Sequence, residues 1–89
     1  MGKPFILLGD STDHGGKVIE GSPQSLVDGK PIARVGDKVT CPLKDHGGVT
    51  TIVTGDPTCL IDGKPAARHG DKTACGATLI ASQGMVSSG

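Results

Sequence analysis

The sequence has almost no aromatic residues: Phe5 is the one aromatic among 89 residues, and Trp and Tyr are absent. Aromatic side chains normally supply the largest single burials in a small core, about 150–250 Å² each. A chain of this length also buries little apolar surface in proportion to its size. We therefore expect one domain over residues 1–89, with a thin aliphatic core that a metal, a disulfide or association reinforces.

An excess of charge of one sign is also missing, because nine basic and nine acidic residues cancel and alternate along the chain. Nucleic-acid binders carry a basic patch that neutralises phosphates, so we expect no nucleic-acid partner. The apolar run Phe5–Leu8 has four residues and is too short for a membrane span or a signal-peptide core. We therefore expect synthesis in the cytoplasm and no stable membrane insertion.

Long stretches without helix breakers are the third absence. The chain contains 15 Gly and 6 Pro, and the longest stretch free of both, residues 77–83, has seven residues. Because a stable helix usually needs more than two uninterrupted turns, no α-helix of note is expected. Short apolar and β-branched runs between the breakers predict an all-β fold of short strands. The dipeptides Asp28-Gly29 and Asp62-Gly63 are typical of two-residue hairpin turns.

Gly and Pro recur in a pattern whose internal spacing is the same in each copy. Residues 20–41 align with residues 54–75 without gaps, and 13 of the 22 positions are identical, too many for chance. A shorter unit, Gly-Lys-Pro followed after four residues by Gly-Asp, occurs three times, at 2–10, 29–37 and 63–71. Such self-similarity indicates a repeat architecture. We predict three strand–turn units, arranged around a pseudo-threefold axis or stacked in a short row.

Metal-binding residue types occupy equivalent positions in these units. His14, Cys41 and Cys75 each lie five residues after the Gly of a Gly-Asp pair. His46 shares an Asp-His-Gly-Gly tetrapeptide with His14, and His69 immediately precedes the third Gly-Asp. If the units surround an axis, these groups converge near one end. Two or three imidazoles with one thiolate form a closed tetrahedral set that favours zinc over the oxygen-binding cations.

Other polar residues have structural interpretations. Cys59 lies between apolar neighbours and is expected to pack within a strand. Arg34 and Arg68, which are equivalent by repeat, are expected to pair with the Gly-Asp aspartates or with turn carbonyls. Asp13 and Asp45 precede histidines, and they either accept from the ring N–H groups or close Asx turns.

Pro65–Arg68 spells Pro-Ala-Ala-Arg, and Pro31–Arg34 is a near copy of it. Together with the Gly-Asp pairs and the His and Cys set, these motifs resemble the PAAR-repeat family from Gly2 to Ser88. The resemblance implies a small β-rich cone that sits on the blunt tip of the trimeric VgrG spike of a type VI secretion system.

The resemblance also implies a zinc ion near the point of the cone, bound by three histidines and one cysteine. The sequence has only three histidines, so His14, His46 and His69 all carry over. Cys75 is the expected cysteine because it follows His69 by six residues, and Cys41 is the alternative.

The implied partner is a VgrG-type trimer that one monomer caps through its more apolar end, for which Phe5–Leu8 is a candidate. No effector extension is expected, so effector proteins would bind separately, and the contractile apparatus would carry the assembled tip out of the cell. The apex of a phage or phage-like contractile tail is the alternative function. An enzyme is not expected, because the cysteine would fill the open position of a zinc hydrolase and the core is too small for a substrate pocket.

Overall fold

The structure, a computed structural model, describes residues 3–42, 48–82 and 87–88. Short strands paired in twos make up the fold, and the described ranges contain no helix, which confirms the all-β prediction. Within those ranges no helix is long and apolar enough to cross a membrane. The strands are β1 (Lys3–Pro4), β2 (Ser11–Thr12), β3 (Leu26–Val27), β4 (Lys30–Pro31), β5 (Lys38–Cys41), β6 (Gly48–Thr51), β7 (Asp56–Ile61), β8 (Lys64–Ala66), β9 (Leu79–Ile80) and β10 (Ser87–Ser88).

Two of the antiparallel pairs are tight hairpins that end in the predicted turns. The β3–β4 hairpin turns through Asp28-Gly29, with φ values of 52° and 80°. The β7–β8 hairpin turns through Asp62-Gly63, with φ values of 54° and 79°. Positive φ at both central residues is the type I′ requirement, which Asp-Gly satisfies with little strain. The prediction of two-residue hairpins is confirmed.

The first unit obtains its hairpin partner from the far end of the sequence. β1 pairs with β10, so that Pro4 lies opposite Ser87. In the β3–β4 hairpin, Pro31 lies opposite Leu26 in the same register. β10 therefore takes the structural place that β3 and β7 fill in the second and third units.

Backbone hydrogen bonds form a closed ring at the centre of the molecule. Ala33 N–H donates to the Ile6 carbonyl at 2.8 Å, and Ala67 N–H donates to the Ala33 carbonyl at 2.9 Å. Ile6 N–H completes the ring by donating to the Ala67 carbonyl at 3.0 Å. All three residues are fully buried. One residue from each unit thus surrounds a pseudo-threefold axis. The sequence was compatible with this arrangement or with a short stack, and the structure shows the first.

The same ring explains why Phe5–Leu8 is not one continuous strand. Phe5 bridges to Arg68, whereas Leu7 bridges to Ile32. Successive residues therefore pair with different units, because the chain passes close to the axis between its two neighbours. Phe5 and Leu7 are 8% and 2% exposed and Ile6 is fully buried, so these three residues cannot form the apolar base for which the run was a candidate. The run forms core.

Each Gly-Asp pair closes a turn with a buried carboxylate. In all three units the aspartate Oδ2 accepts the backbone N–H of the residue three positions earlier, at 2.7–2.8 Å. The three donor–acceptor pairs are Leu7–Asp10, Arg34–Asp37 and Arg68–Asp71. These hydrogen bonds offset part of the free energy that burying each carboxylate costs.

The side chains around these aspartates differ between units. The Arg34 guanidinium donates to both oxygens of Asp37 and reaches Asp62, in the turn of the next unit's hairpin, at 2.8 Å. This bonding to Asp37, opposed by burial, raises the pKa of Arg34. Arg68 also pairs with the aspartate of its own Gly-Asp, as predicted from the repeat, but through Nε alone, which lies 3.4 Å from Asp71 Oδ2. In the first unit a leucine occupies the equivalent position.

Two clusters of buried aliphatic side chains fill the interior. The central cluster surrounds the hydrogen-bonded ring and contains Ile6, Val18, Ala33, Val39, Ile52, Ala67 and Leu79. The second cluster lies beneath the hairpins and contains Phe5, Leu7, Val27, Ile32 and Ala66, with Cys59 packed against it. The Cys59 prediction is therefore confirmed. The molecule measures 34 × 23 × 22 Å, with two nearly equal short axes that suit threefold pseudosymmetry.

Replacing Asp37 by Asn is expected to destabilise the protein more than the same change at Asp10. Asp37→Asn removes the carboxylate that neutralises buried Arg34, at a cost of about 2 kcal/mol. Asp10 accepts from the Leu7 N–H and the Ser82 hydroxyl, so Asp10→Asn should cost less than about 1 kcal/mol. Urea unfolding of both variants measures the difference, and equal losses would contradict the role assigned to Arg34.

Candidate metal centre

Two tight turns present a metal-binding residue at one end of the molecule. Residues 12–16 carry His14, and residues 73–77 carry Cys75, each at the centre of the turn. In both turns the N–H of the first residue donates to the carbonyl of the last at 3.0 Å. The two turns are equivalent by repeat, so they place His14 and Cys75 at the same height along the pseudo-threefold axis.

Threonine hydroxyls and a glycine fix the shape of these turns. Thr12 Oγ1 accepts the Gly16 N–H and Thr73 Oγ1 accepts the Ala77 N–H, both at 3.1 Å. A Cβ on Gly16 would lie 1.8 Å from the Thr40 carbonyl oxygen, so only glycine fits there. The backbone of the second unit at Thr40 therefore packs directly against the 12–16 turn of the first unit.

The second unit supplies the third residue, because Cys41 ends β5 at the same end of the molecule. Its Sγ lies 3.0 Å from Cys75 Sγ and 3.9 Å from His14 Nδ1. Cys75 Sγ is also 3.9 Å from His14 Nδ1. The ligand atoms of these three residues all lie within 4.8 Å of one another. The predicted convergence of the repeat-equivalent positions is confirmed.

The surroundings of Cys75 favour its thiolate. Burial raises the pKa of the Cys75 thiol, but hydrogen bonds from the Thr73 hydroxyl and the Cys41 thiol act in the opposite direction. The Ala77 N–H and His14 add to this effect, and together they lower the pKa from 9.0 to about 5. The thiolate is the form that binds metals. Sequence reasoning missed Thr73, although a threonine at the equivalent position 12 was a visible signal.

Asp13 connects two units beside the site. Its Oδ1 accepts the Thr78 N–H at 2.8 Å and lies 3.9 Å from His14 Nε2. The hydrogen bond from Thr78 lowers the pKa of Asp13, so its carboxylate stays ionised. The His14 ring faces the two thiols with Nδ1, and the Asp13 carboxylate near Nε2 supports this orientation of the ring. Asp45, the other candidate for such a role, lies outside the described residues.

The donor set fits a transition-metal ion. Two sulfurs and one ring nitrogen suit zinc or another soft-to-borderline cation, and not magnesium or calcium. Tetrahedral zinc with bonds of about 2.3 Å to sulfur and 2.05 Å to nitrogen separates two sulfurs by about 3.8 Å and sulfur from nitrogen by about 3.5 Å. Shifts of less than about 1 Å would bring the observed separations to those values. His14, Cys41 and Cys75 can therefore hold a metal ion.

The two remaining predicted ligands are His46 and His69. His46 lies outside the described residues. His69 is not a member of the group that His14, Cys41 and Cys75 form. Its Nδ1 accepts the Ala81 N–H at 3.0 Å, and its own N–H donates to the Pro4 carbonyl. The ligand roles of His46 and His69 stay predictions, whereas both cysteines, the chosen one and its alternative, lie in the group.

Comparison with known families agrees with this architecture. The sequence profile described as the PAAR motif matches residues 8–81, which is more than four-fifths of the chain. The match includes all three units from the first Gly-Asp onwards, and it contains His14, Cys41 and Cys75. A search of curated proteins found no match.

In metal-free protein, Cys75 is expected to react with iodoacetamide well below the pH at which an ordinary thiol does. Its pKa of about 5 keeps it as the thiolate at pH 6, where a thiol with a pKa of 9.0 is almost entirely protonated. Alkylation of Cys75, followed by peptide mass spectrometry from pH 4 to 9, measures the midpoint.

The variant Thr73→Val should move that midpoint upwards, because it removes the hydroxyl that bonds to Cys75 Sγ at 3.2 Å. A wild-type midpoint above pH 8 would contradict the thiolate environment described for the site.

Proposed function

Because the chain belongs to the PAAR-motif family, we propose that it is the tip of a type VI secretion spike and caps a trimeric VgrG-type protein. Members of the family are structural spike components. The observation that carries the proposal is the ring formed by Ile6, Ala33 and Ala67, which gives one chain three nearly equivalent sides. Contacts that repeat in this way allow a single monomer to match all three subunits of a threefold partner.

We propose that the trimer binds the end with the hairpins, opposite the metal cluster. Leu26 on β3 and Leu60 on β7 are 52% and 57% exposed and occupy equivalent positions in two units. β10 stands at the third equivalent position. Exposed leucines at repeating positions suit the apolar centre of an interface, which is depleted in charge.

We further propose that the cluster at the tip binds one zinc ion through His14, Cys41 and Cys75. The three groups come from three different units, so a shared ion would tie the units together where the core ends. This staple would compensate for a core with a single aromatic residue. His46 is the predicted source of a fourth ligand. His69 would have to coordinate through Nε2, since its Nδ1 accepts a backbone hydrogen bond.

A structural role for the metal also favours a function without catalysis. Two thiolates and an imidazole, completed by a fourth protein ligand, would form a closed site with no position for an activated water. Assembly in the cytoplasm followed by translocation with the spike is the route that this role requires. An effector protein, where one is carried, would bind to the tip as a separate chain.

Purified protein is expected to contain roughly one zinc per chain by elemental analysis. His14→Ala and Cys75→Ala should both lose the metal, and their melting temperatures should fall by about 10–20 °C, the equivalent of a few kcal/mol in a domain of this size. Cys59→Ala is the matched control and should keep its zinc, because Cys59 packs in the other cluster. Full zinc occupancy in both cluster variants would contradict the proposed site.

His69→Ala separates the two possible ligand sets. Retention of zinc supports coordination by the His14, Cys41 and Cys75 group, whereas loss of zinc adds His69 to the set.

The protein is expected to bind a VgrG-type trimer with one chain per trimer, as measured by native mass spectrometry. The double variant Leu26→Lys/Leu60→Lys should weaken this binding at least about 100-fold, because it places two charges in the apolar interface. Val49→Lys is the control, since Val49 is similarly exposed at 51% but lies on β6 beside the tip. Equal effects of both changes would contradict the assignment of the binding end.

A further inference from the structure

The cluster at the tip contains two thiols close to each other. Cys41 and Cys75 occupy equivalent positions of the second and third units, and the pseudo-threefold axis brings their sulfur atoms to 3.0 Å. Both are thiols in the structure. A disulfide bond is about 2.05 Å long, so closing one requires an approach of about 1 Å. Cys59 lies on β7, against the second apolar cluster, and is not a member of this group.

The two thiols differ in their access to solvent. Cys41 is 1% exposed, whereas Cys75 is partly exposed at the centre of the 73–77 turn. A small oxidant can therefore reach Cys75 first, while Cys41 is placed behind it at bonding range. This division into an accessible thiol and a buried thiol that resolves the intermediate is typical of reactive cysteine pairs.

We propose that Cys41 and Cys75 are a redox-active dithiol that a low-molecular-weight disulfide, such as oxidised glutathione, converts into an intramolecular disulfide. We infer that this oxidation and metal binding exclude each other, because both use the same two sulfur atoms. The second statement rests on the proposed zinc site, whereas the first depends only on the positions of the two thiols.

The reaction balances as two thiol–disulfide exchanges. The Cys75 thiolate attacks one sulfur of oxidised glutathione, forms a mixed disulfide and releases one glutathione thiolate. The Cys41 thiolate then attacks the Cys75 sulfur, closes the protein disulfide and releases the second glutathione thiolate. The protein loses two protons and two electrons, and one oxidised glutathione becomes two reduced molecules.

The product would fasten the same end of the molecule that the metal fastens. The disulfide would join the second and third units across a separation of 34 residues, which restricts the unfolded chain. The tip would then have one covalent constraint in oxidising surroundings and a metal constraint in reducing surroundings. His14, the contribution of the first unit, takes part only in the second.

The test uses the full chain, stripped of metal with a chelator and treated with oxidised glutathione under native conditions. Intact mass spectrometry should show the loss of two hydrogen atoms without a lasting glutathione adduct, and peptide mapping should find a Cys41–Cys75 link. Protein preloaded with zinc should oxidise at least about tenfold more slowly. The oxidised metal-free protein should melt at a higher temperature than the reduced metal-free protein.

Single variants assign the two steps. Cys59→Ser should oxidise as the wild type does, and Cys41→Ser should stop with glutathione attached to Cys75. A stable adduct in the wild type, or a link that involves Cys59, would overturn the dithiol. Equal oxidation rates with and without bound zinc would overturn the competition. If the reduced protein holds no zinc, the metal proposal fails, but oxidation of the chelated protein still tests the dithiol by itself.

Discussion

The fold depends on three backbone hydrogen bonds that link Ile6, Ala33 and Ala67 in a closed ring. Two of these residues are alanines, and small side chains let three chain segments approach one axis closely enough for direct backbone contact. All three are fully buried, so each hydrogen bond is protected from exchange with water. The turns that carry the metal-binding residues meet at one end because this ring holds the three segments around a common axis.

The turns and the repeat could be predicted from the sequence because their chemistry is local. Asp28-Gly29 and Asp62-Gly63 adopt positive φ at both positions, and each Gly-Asp aspartate accepts a hydrogen bond from three residues back. The limits of the strands could not be predicted. Phe5–Leu8 has the composition of a strand, yet its residues pair alternately with two different units. This alternating pairing follows from the position of the axis, and the axis depends on all three units together.

The candidate metal site was predictable to the extent that it follows from repeat equivalence. Counting from the Gly-Asp pairs identified His14, Cys41 and Cys75, and these three converge. The family resemblance favoured one cysteine and three histidines instead. The ligand roles of His46 and His69, which rest on that resemblance, stay predictions. His69 corresponds to Val35 of the second unit, and its backbone N–H donates to the Pro4 carbonyl as the Val35 N–H donates to the Pro65 carbonyl.

The pairing of β1 with β10 has a consequence for how the chain folds. Lys3 and Ser88 are separated by nearly the whole sequence, so this contact carries the largest loop-closure entropy of all the described strand pairs. The β3–β4 and β7–β8 hairpins, by contrast, form from neighbouring residues and can appear within microseconds. The first unit can be completed only after the last strand is available, and the pairing of β1 with β10 is expected to be the late, slow event of folding. During that interval β1 has no partner strand, but it consists of only two residues, a lysine and a proline, which disfavour pairing with a second molecule.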